Sequence, residues 1–300
     1  MSGDVIKINR KSVQLSRPYQ AKVHGMVGRE EEITTIQVSW MAGNGRIPLA
    51  PLLRGDPGIG KNRTVYECTR VCGPNKELYI LQGHEDVTAE DLLCAVRFSD
   101  DPERKMDYIL SPLATAMVRG MIFYLDGIGK MRKRMLSPLE SVLDERRYLD
   151  INALGERIYA HPNFRFIAAT NPSDMEDDVL PDFIRSRIKP VIPFGYPPPE
   201  ELDRIIQSSY PSLRNKARVL LDCFWSNWRE KNGDTPPTPR DCIQIFSYSQ
   251  SDADWEALGP NPAMTLEHDK APAPIKPRHI ERALKVFHAD QQRADQQRSG

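Results

Sequence analysis

The sequence has no surplus of charge of either sign: Lys plus Arg and Asp plus Glu both number 41, for a formal net charge of zero. Nucleic acids and anionic membranes are held by a summed field of one sign, so a global grip on either is not indicated. There is no apolar run of the length that spans a bilayer. The opening residues, MSGDVIKINRKSVQ, contain no apolar core of a secretory signal, so a cytoplasmic location is expected. The five cysteines (Cys68, Cys72, Cys94, Cys223 and Cys242) are odd in number and scattered. Cys68 and Cys72 lack the second pair that would complete a zinc site, and buried free thiols in a reducing compartment are expected.

What is present is an ordinary globular composition, 40% hydrophobic and 27% charged over 300 residues, enough for one large or two modest domains. Residues 1–24 are polar and mixed and read as an N-terminal arm. From 25 to 196, apolar strands alternate with helical periods. The strands fall at 47–53, 77–82, 121–125, 164–170 and 189–194, and a hairpin is predicted over 146–160. Thr88 to Asp91 is a capping box opening a helix. This alternation predicts an α/β fold with a parallel sheet covered on both faces. After Gly195-Tyr196-Pro197-Pro198-Pro199 only helical patterns follow, at 199–208, 212–230, 239–248 and 277–290, giving a small helical domain over 197–290. Residues 251–277 read as a surface loop and 291–300 as a polar tail carrying the end of a repeat, ADQQR ADQQR.

The strongest local signal is Gly55-Asp56-Pro57-Gly58-Ile59-Gly60-Lys61-Asn62. It fits the P-loop pattern up to its last position, where Ser or Thr is expected. Such a loop follows an apolar strand and opens a helix. Its glycines let successive N–H groups point inward at a helix N-terminus, forming a nest for phosphate. Lys61 would reach the β- and γ-phosphates, and Arg63 follows in the first helical turn. A second signal is the strand Met121-Ile122-Phe123-Tyr124-Leu125-Asp126, resembling a Walker B segment whose carboxylate holds Mg2+. A third is Phe166 to Thr170 leading to Asn171, an amide delivered to the carboxyl edge of the sheet, where it could orient an attacking water.

In this order the three signals resemble the AAA+ ATPase superfamily. Gly28-Arg29-Glu30, Leu143-Asp144-Glu145-Arg146-Arg147 and His161-Pro162-Asn163-Phe164-Arg165 resemble its MoxR and dynein-related branch, which includes CbbQ-type activases. The resemblance covers roughly residues 25–290. It implies a P-loop NTPase αβα sandwich followed by a small all-helical lid, ATP or ADP with Mg2+, and assembly into a ring, by family habit a hexamer. It implies an arginine finger at Arg187, with Arg185 as the alternative, and a sensor-2 arginine at Arg240, which is equally well a plain helix-start residue. A protein with a von Willebrand A domain is a frequent partner in this branch.

Two positions depart from the family pattern. Asn62 stands where a hydroxyl binds Mg2+; an amide oxygen can coordinate the ion, so Asn62 and Asp126 are the candidate metal ligands. Gly127 stands where the family has the glutamate that positions or deprotonates water, and losing a general base costs on the order of 100- to 10,000-fold in rate. Glu140, Asp144 and Glu145 belong, on the family layout, to a later helix. Two functions follow: an ATP-driven remodelling subunit, or a nucleotide-gated scaffold or switch with little turnover. A third, DNA handling, has only the basic run Lys130-Met131-Arg132-Lys133-Arg134 in its favour, and the zero net charge argues against it.

Overall fold

The computed structural model describes residues 4–21, 25–41, 46–72, 77–100, 105–175, 180–213, 216–258 and 272–299. The chain divides into two compact units, Met1–Gly195 and Tyr196–Gly300.

Among the described residues the first unit holds twelve strands: β1 (Val5–Ile8), β2 (Lys11–Gln14), β3 (Tyr19–Gln20), β4 (Leu52–Gly55), β5 (Glu77–Gln82), β6 (Cys94–Phe98), β7 (Met106–Leu110), β8 (Ile122–Asp126), β9 (Tyr148–Ile151), β10 (Glu156–Tyr159), β11 (Arg165–Thr170) and β12 (Val191–Phe194). Its helices are α1 (Glu30–Trp40), α2 (Lys61–Cys72), α3 (Ala89–Leu92), α4 (Pro112–Arg119), α5 (Leu139–Val142) and α6 (Asp182–Arg185). The central sheet runs β12-β4-β11-β8-β5-β3, parallel except for the antiparallel edge strand β3.

Strands buried on both faces read as continuous apolar runs, and alternate side chains point to opposite sides. In β8, Ile122 and Tyr124 pack with Ile36 and Trp40 of α1 and Val65 and Cys68 of α2. Phe123 and Leu125 pack on the other side with Leu113, Ala114 and Met117 of α4. Helices therefore cover both faces, the predicted three-layer sandwich. The parallel register puts the ends of β4, β8 and β11 at one edge, so the loops after Gly55, Asp126 and Thr170 lie side by side.

Two further sheets complete this unit. β9 and β10 form the predicted hairpin. The other sheet, ordered β1-β2-β7-β6, is not legible in the sequence. Its strands are four or five residues long, and half of its pairing comes from the N-terminal segment, so no local period announces it. Residues 5–20, read as an arm, pair with β7 and β5.

The second unit is helical: α7 (Pro199–Ser209), α8 (Ala217–Asn232), α9 (Pro239–Leu258) and α10 (Pro277–Ser299). Leu202, Ile206, Phe224, Trp228, Phe246, Ile280 and Leu284 form its core. Fully burying a side chain such as Phe224 contributes about 1.5–3 kcal/mol. Residues 251–258, expected as loop, extend α9, and the repeat, read as a solvated helix end or a polar tail, continues α10, because Ala, Gln, Glu and Arg are good helix formers. Of the rest of the expected loop, 272–276 is irregular as expected and 259–271 lies outside the described residues.

Candidate functional site

The loop between β4 and α2 has the backbone that phosphate binding needs. Gly58 and Gly60 have φ of 89° and 101°, in the left-handed region that only glycine adopts cheaply. A Cβ on Gly55 would lie 2.4 Å from Ile59 Cδ1 and 2.5 Å from the Phe194 carbonyl, so the loop can fold back on the strand end only with glycine there. Pro57 and Ile59 complete the turn; Ile59 is buried and anchors it in the core. The first N–H groups of α2 have no carbonyl one turn back to bond, and the helix dipole adds partial positive charge at the same place.

Lys61 is buried, and its Nζ donates to the carbonyls of Gly55 (2.5 Å) and Asp56 (2.9 Å) and to Asn171 Oδ1 (2.9 Å). The P-loop lysine and the amide at the end of β11 therefore meet at one point. Asn62 and Asp126 meet beside them: Asn62 Nδ2 donates to Asp126 Oδ2 at 2.8 Å. Arg63 is exposed in the same helical turn.

Two residues with no role in the sequence reading belong to this site. Tyr124 is fully buried and its hydroxyl donates to Asn62 Oδ1 at 2.9 Å. Burial, then the negative Asp126, pushes its phenol well above the ordinary value, so it remains a donor. The signal was available: Tyr124 lies two residues before Asp126, hence on the same face of the strand, and a buried tyrosine hydroxyl needs a partner. The second residue is Arg29, whose Nη2 donates to the carbonyls of Ile59 (3.3 Å) and Gly195 (2.6 Å), while Nη1 pairs with Glu32 at 2.8 Å. It ties the start of α1 to the P-loop and to the last residue of the unit. Tyr66, on α2, is pushed up to about 12 by burial, then by Tyr19 and Asp126.

Gly127 has a structural reason to be glycine. Its φ is 83°, and a Cβ there would lie 3.2 Å from the Gly83 carbonyl. Conversely, a Cβ on Gly83 would lie 2.4 Å from the Gly127 carbonyl. The backbones after β5 and β8 touch at this point, with Gly83 N donating to Asp126 O at 2.7 Å. The three atoms nearest a Cβ on Gly127 belong to Gly83, Lys130 and Gln82, and none is a carboxylate oxygen.

The arginines expected as the finger toward a neighbouring subunit have contacts within their own unit, and the one expected as the sensor lies in the helical unit. Arg187 Nη1 donates to the Phe183 carbonyl (2.6 Å) and Nη2 to Glu140 Oε1 (3.3 Å), and its Nε is 3.5 Å from Asp144 Oδ2. Arg146 shares both acids, holding Asp144 at 2.7 Å and Glu140 at 3.7 Å. The Arg146 hydrogen bond, with the Arg187 charge behind it, holds the Asp144 carboxyl below its usual range. Glu140 and Asp144 thus serve an arginine cluster. Arg185 pairs with Asp182. Arg240 is exposed in the first turn of α9 in the second unit, beside the Thr238–Asp241 cap. Two motif words that carried the family resemblance are in contact, since Arg147 Nη2 donates to the Phe164 carbonyl at 3.2 Å.

The nucleotide and Mg2+ that the fold implies fit this site unequally. The glycine loop, the helix N-terminus and Lys61 suit phosphate. The Mg2+ side does not fit as well, because the Asn62 atom facing Asp126 is an N–H donor, which is no metal ligand.

Comparison with known proteins agrees with this geometry. Residues 51–188 match the model of the AAA domain, dynein-related subfamily. Protein CbbQ of Hydrogenophilus thermoluteolus is 33% identical over 164 residues, covering 54% of this chain and 58% of that protein. Protein NorQ of Paracoccus denitrificans is 35% identical over 124 residues, covering 41% of this chain and 44% of that protein. The matches thus span about half the length of these curated relatives. In fold alone the chain is similar to RuvB of Thermotoga maritima, a Holliday junction branch migration motor, with a TM-score of 0.54, 17% identity, and coverage of 87% of this chain and 70% of that one. With the glycine loop, Asp126 and Asn171 at the ends of neighbouring strands, residues 51–188 are identified as an AAA domain of the dynein-related subfamily, and over about half its length the chain is similar to CbbQ and NorQ.

Proposed function

We propose that the chain binds ATP and ADP at the loop 55–62 and works as one subunit of a ring, hexameric by family habit, whose nucleotide state drives remodelling of a partner protein. The observation that carries this reading is the meeting of Lys61 Nζ and Asn171 Oδ1 at 2.9 Å beside the glycine loop. It supports the reading because a cation and a polar amide together, beside such a loop, suit the holding and sensing of a γ-phosphate. In the ring, Arg187 leaves its own acids, Glu140 and Asp144, and reaches a neighbouring subunit's nucleotide, with Arg185 as the alternative finger. Arg240 serves as the sensor of the helical unit. A von Willebrand A domain is the partner class we propose, and the cytoplasm the location. Among the described residues no helix is long and apolar enough to cross a membrane. Nucleic acid is not part of the proposal, because the net charge is zero and the RuvB likeness is one of fold alone.

A second reading, a nucleotide-gated scaffold with little turnover, is favoured by Gly127, which supplies no base and stands in a backbone contact that suits glycine. One sample tests both. ATP binding by calorimetry and phosphate release are measured together, with particle mass followed as nucleotide is added. Binding with ring assembly and steady hydrolysis supports the remodeller, and the same assembly with negligible hydrolysis supports the scaffold. Absence of nucleotide binding would sink both. The finger is checked by Arg187→Ala, expected to leave ATP affinity within about threefold while hydrolysis falls on the order of a thousandfold; unchanged hydrolysis would remove Arg187 from that role.

A further inference from the structure

We propose that this site holds its nucleotide without a divalent metal, so that it is a receptor for the free nucleoside di- or triphosphate and not for its Mg2+ complex. The inference rests on the proposed nucleotide binding at loop 55–62 and specifies the ligand's form.

The case begins with the directions of two hydrogen bonds. A carboxylate oxygen accepts, and the edge of the Asn62 amide that faces Asp126 Oδ2 at 2.8 Å is the NH2 group. The other edge, Oδ1, accepts from the Tyr124 hydroxyl at 2.9 Å. Phenol, amide and carboxylate form a one-way chain, each link fixing the next. Mg2+ takes a near-octahedral shell of oxygens at about 2.0–2.1 Å and tolerates little distortion. The Asn62 atom turned toward Asp126 has no lone pair to offer. Presenting Oδ1 instead would require the amide to turn over, giving up both the NH2–carboxylate bond and the bond it accepts from the Tyr124 hydroxyl.

The surroundings do not supply a substitute. Thr64, the next hydroxyl on α2, is fully buried and donates to the carbonyl of Gly60, the residue before its helix, at 3.1 Å. Among the described residues no group of three or more His, Cys, Asp or Glu side chains is arranged to hold a metal. The phosphate side, by contrast, is complete without an ion: the Lys61 ammonium, the inward N–H groups and the helix dipole all carry positive potential. Anion binding therefore survives at this site while the metal-binding half has been converted into an internal hydrogen-bond chain. Because solution Mg2+ ties up free nucleotide, adding it lowers the effective ligand concentration.

The test is calorimetric titration of the full chain with ADP and with ATP, once in excess EDTA and once in excess MgCl2. For the unmodified protein, affinity in EDTA is expected to equal or exceed that in MgCl2. Asn62→Thr, with Asn62→Ser as a second variant in case the first misfolds, restores the hydroxyl and is expected to reverse the order, with affinity about tenfold higher in MgCl2. Tyr124→Phe frees the amide oxygen and is expected to move in the same direction by less. Affinity of the unmodified protein about tenfold higher in MgCl2 than in EDTA would overturn the inference and leave the proposed function standing. No binding in either condition would overturn both.

Discussion

Lys61 and Asn62 are neighbours in the first turn of α2, yet the structure gives them opposite roles. Lys61 turns inward, to the loop carbonyls and Asn171, and stands ready for an anion. Asn62 turns to Tyr124 and Asp126 and is absorbed into a chain of internal bonds. The comparison separates two demands that a P-loop usually meets together. Gripping phosphate needs backbone N–H groups, a helix N-terminus and one ammonium, and these depend mostly on glycine conformation. Turnover needs particular side-chain oxygens at particular places: a hydroxyl, a carboxylate and a base. Asn62 and Gly127 stand where the hydroxyl and the base are expected, while the Asp126 carboxylate and the whole first set are present.

The comparison can be broken most directly at Lys61. Lys61→Ala removes the ammonium and is expected to weaken ATP and ADP binding by about a hundredfold or more in titration calorimetry. Unchanged affinity would mean that phosphate is not held there. The opposite side is sharpened by Gly83→Ala, whose methyl would lie 2.4 Å from the Gly127 carbonyl. Backbone cannot yield cheaply, so a loss of about 1–3 kcal/mol is expected, seen as a lower melting temperature in scanning calorimetry. Gly127→Glu is expected to cost less, about 1–2 kcal/mol, since its burden is mainly the positive φ. By itself it should not restore phosphate release. Combined with Asn62→Thr it should raise release by about a hundredfold, and brisk hydrolysis by the single variant would show that the missing base was the only deficit.

The smallest expected effect lies in the helical unit, far in character from the nucleotide chemistry. The Glu256 carboxyl is held down at about 2, first by the His279 hydrogen bond (2.7 Å) and then by Lys276, with Arg278 adding to it. A carboxyl lowered on folding contributes stability above its unfolded value, near 4.5, and loses it as pH falls toward 2. Three of the four tryptophans, Trp225, Trp228 and Trp255, lie in this unit, so tryptophan fluorescence reports its unfolding. Between pH 5 and 2, roughly the window set by linkage, the unmodified unit should lose stability more steeply than Glu256→Gln. Parallel acid profiles would show that the cluster is a screened surface arrangement.

Much of this architecture was legible because it rests on local patterns. Met121 to Leu125 is an unbroken apolar run, and such runs mark strands buried on both faces. Thr88 and Asp91 form the reciprocal cap their spacing implied. The hairpin 148–159 followed from two short runs around an Asn-to-Gly turn. Strand β7 was missed because one of its partners, β2, lies near residue 13, about a hundred positions away in the chain, and such pairing leaves little local trace; β6, at the edge beyond it, pairs only with β7. Tyr124 was missed for another reason: inside an apolar run it counts as one more hydrophobic residue, although its hydroxyl still needs an acceptor.

The sequence by itself determined the P-loop, the order of strands and helices and the absence of a side chain at Gly127, because composition, glycine placement and periodicity act within a few residues. Only the tertiary structure decided that Asn62 faces Asp126 with its NH2, that Gly83 and Gly127 touch, and that Glu140 and Asp144 are occupied by Arg187. Each of these depends on which strand ends the parallel register sets side by side or on how separate loops pack, and those are properties of long-range pairing that no single stretch of chain contains.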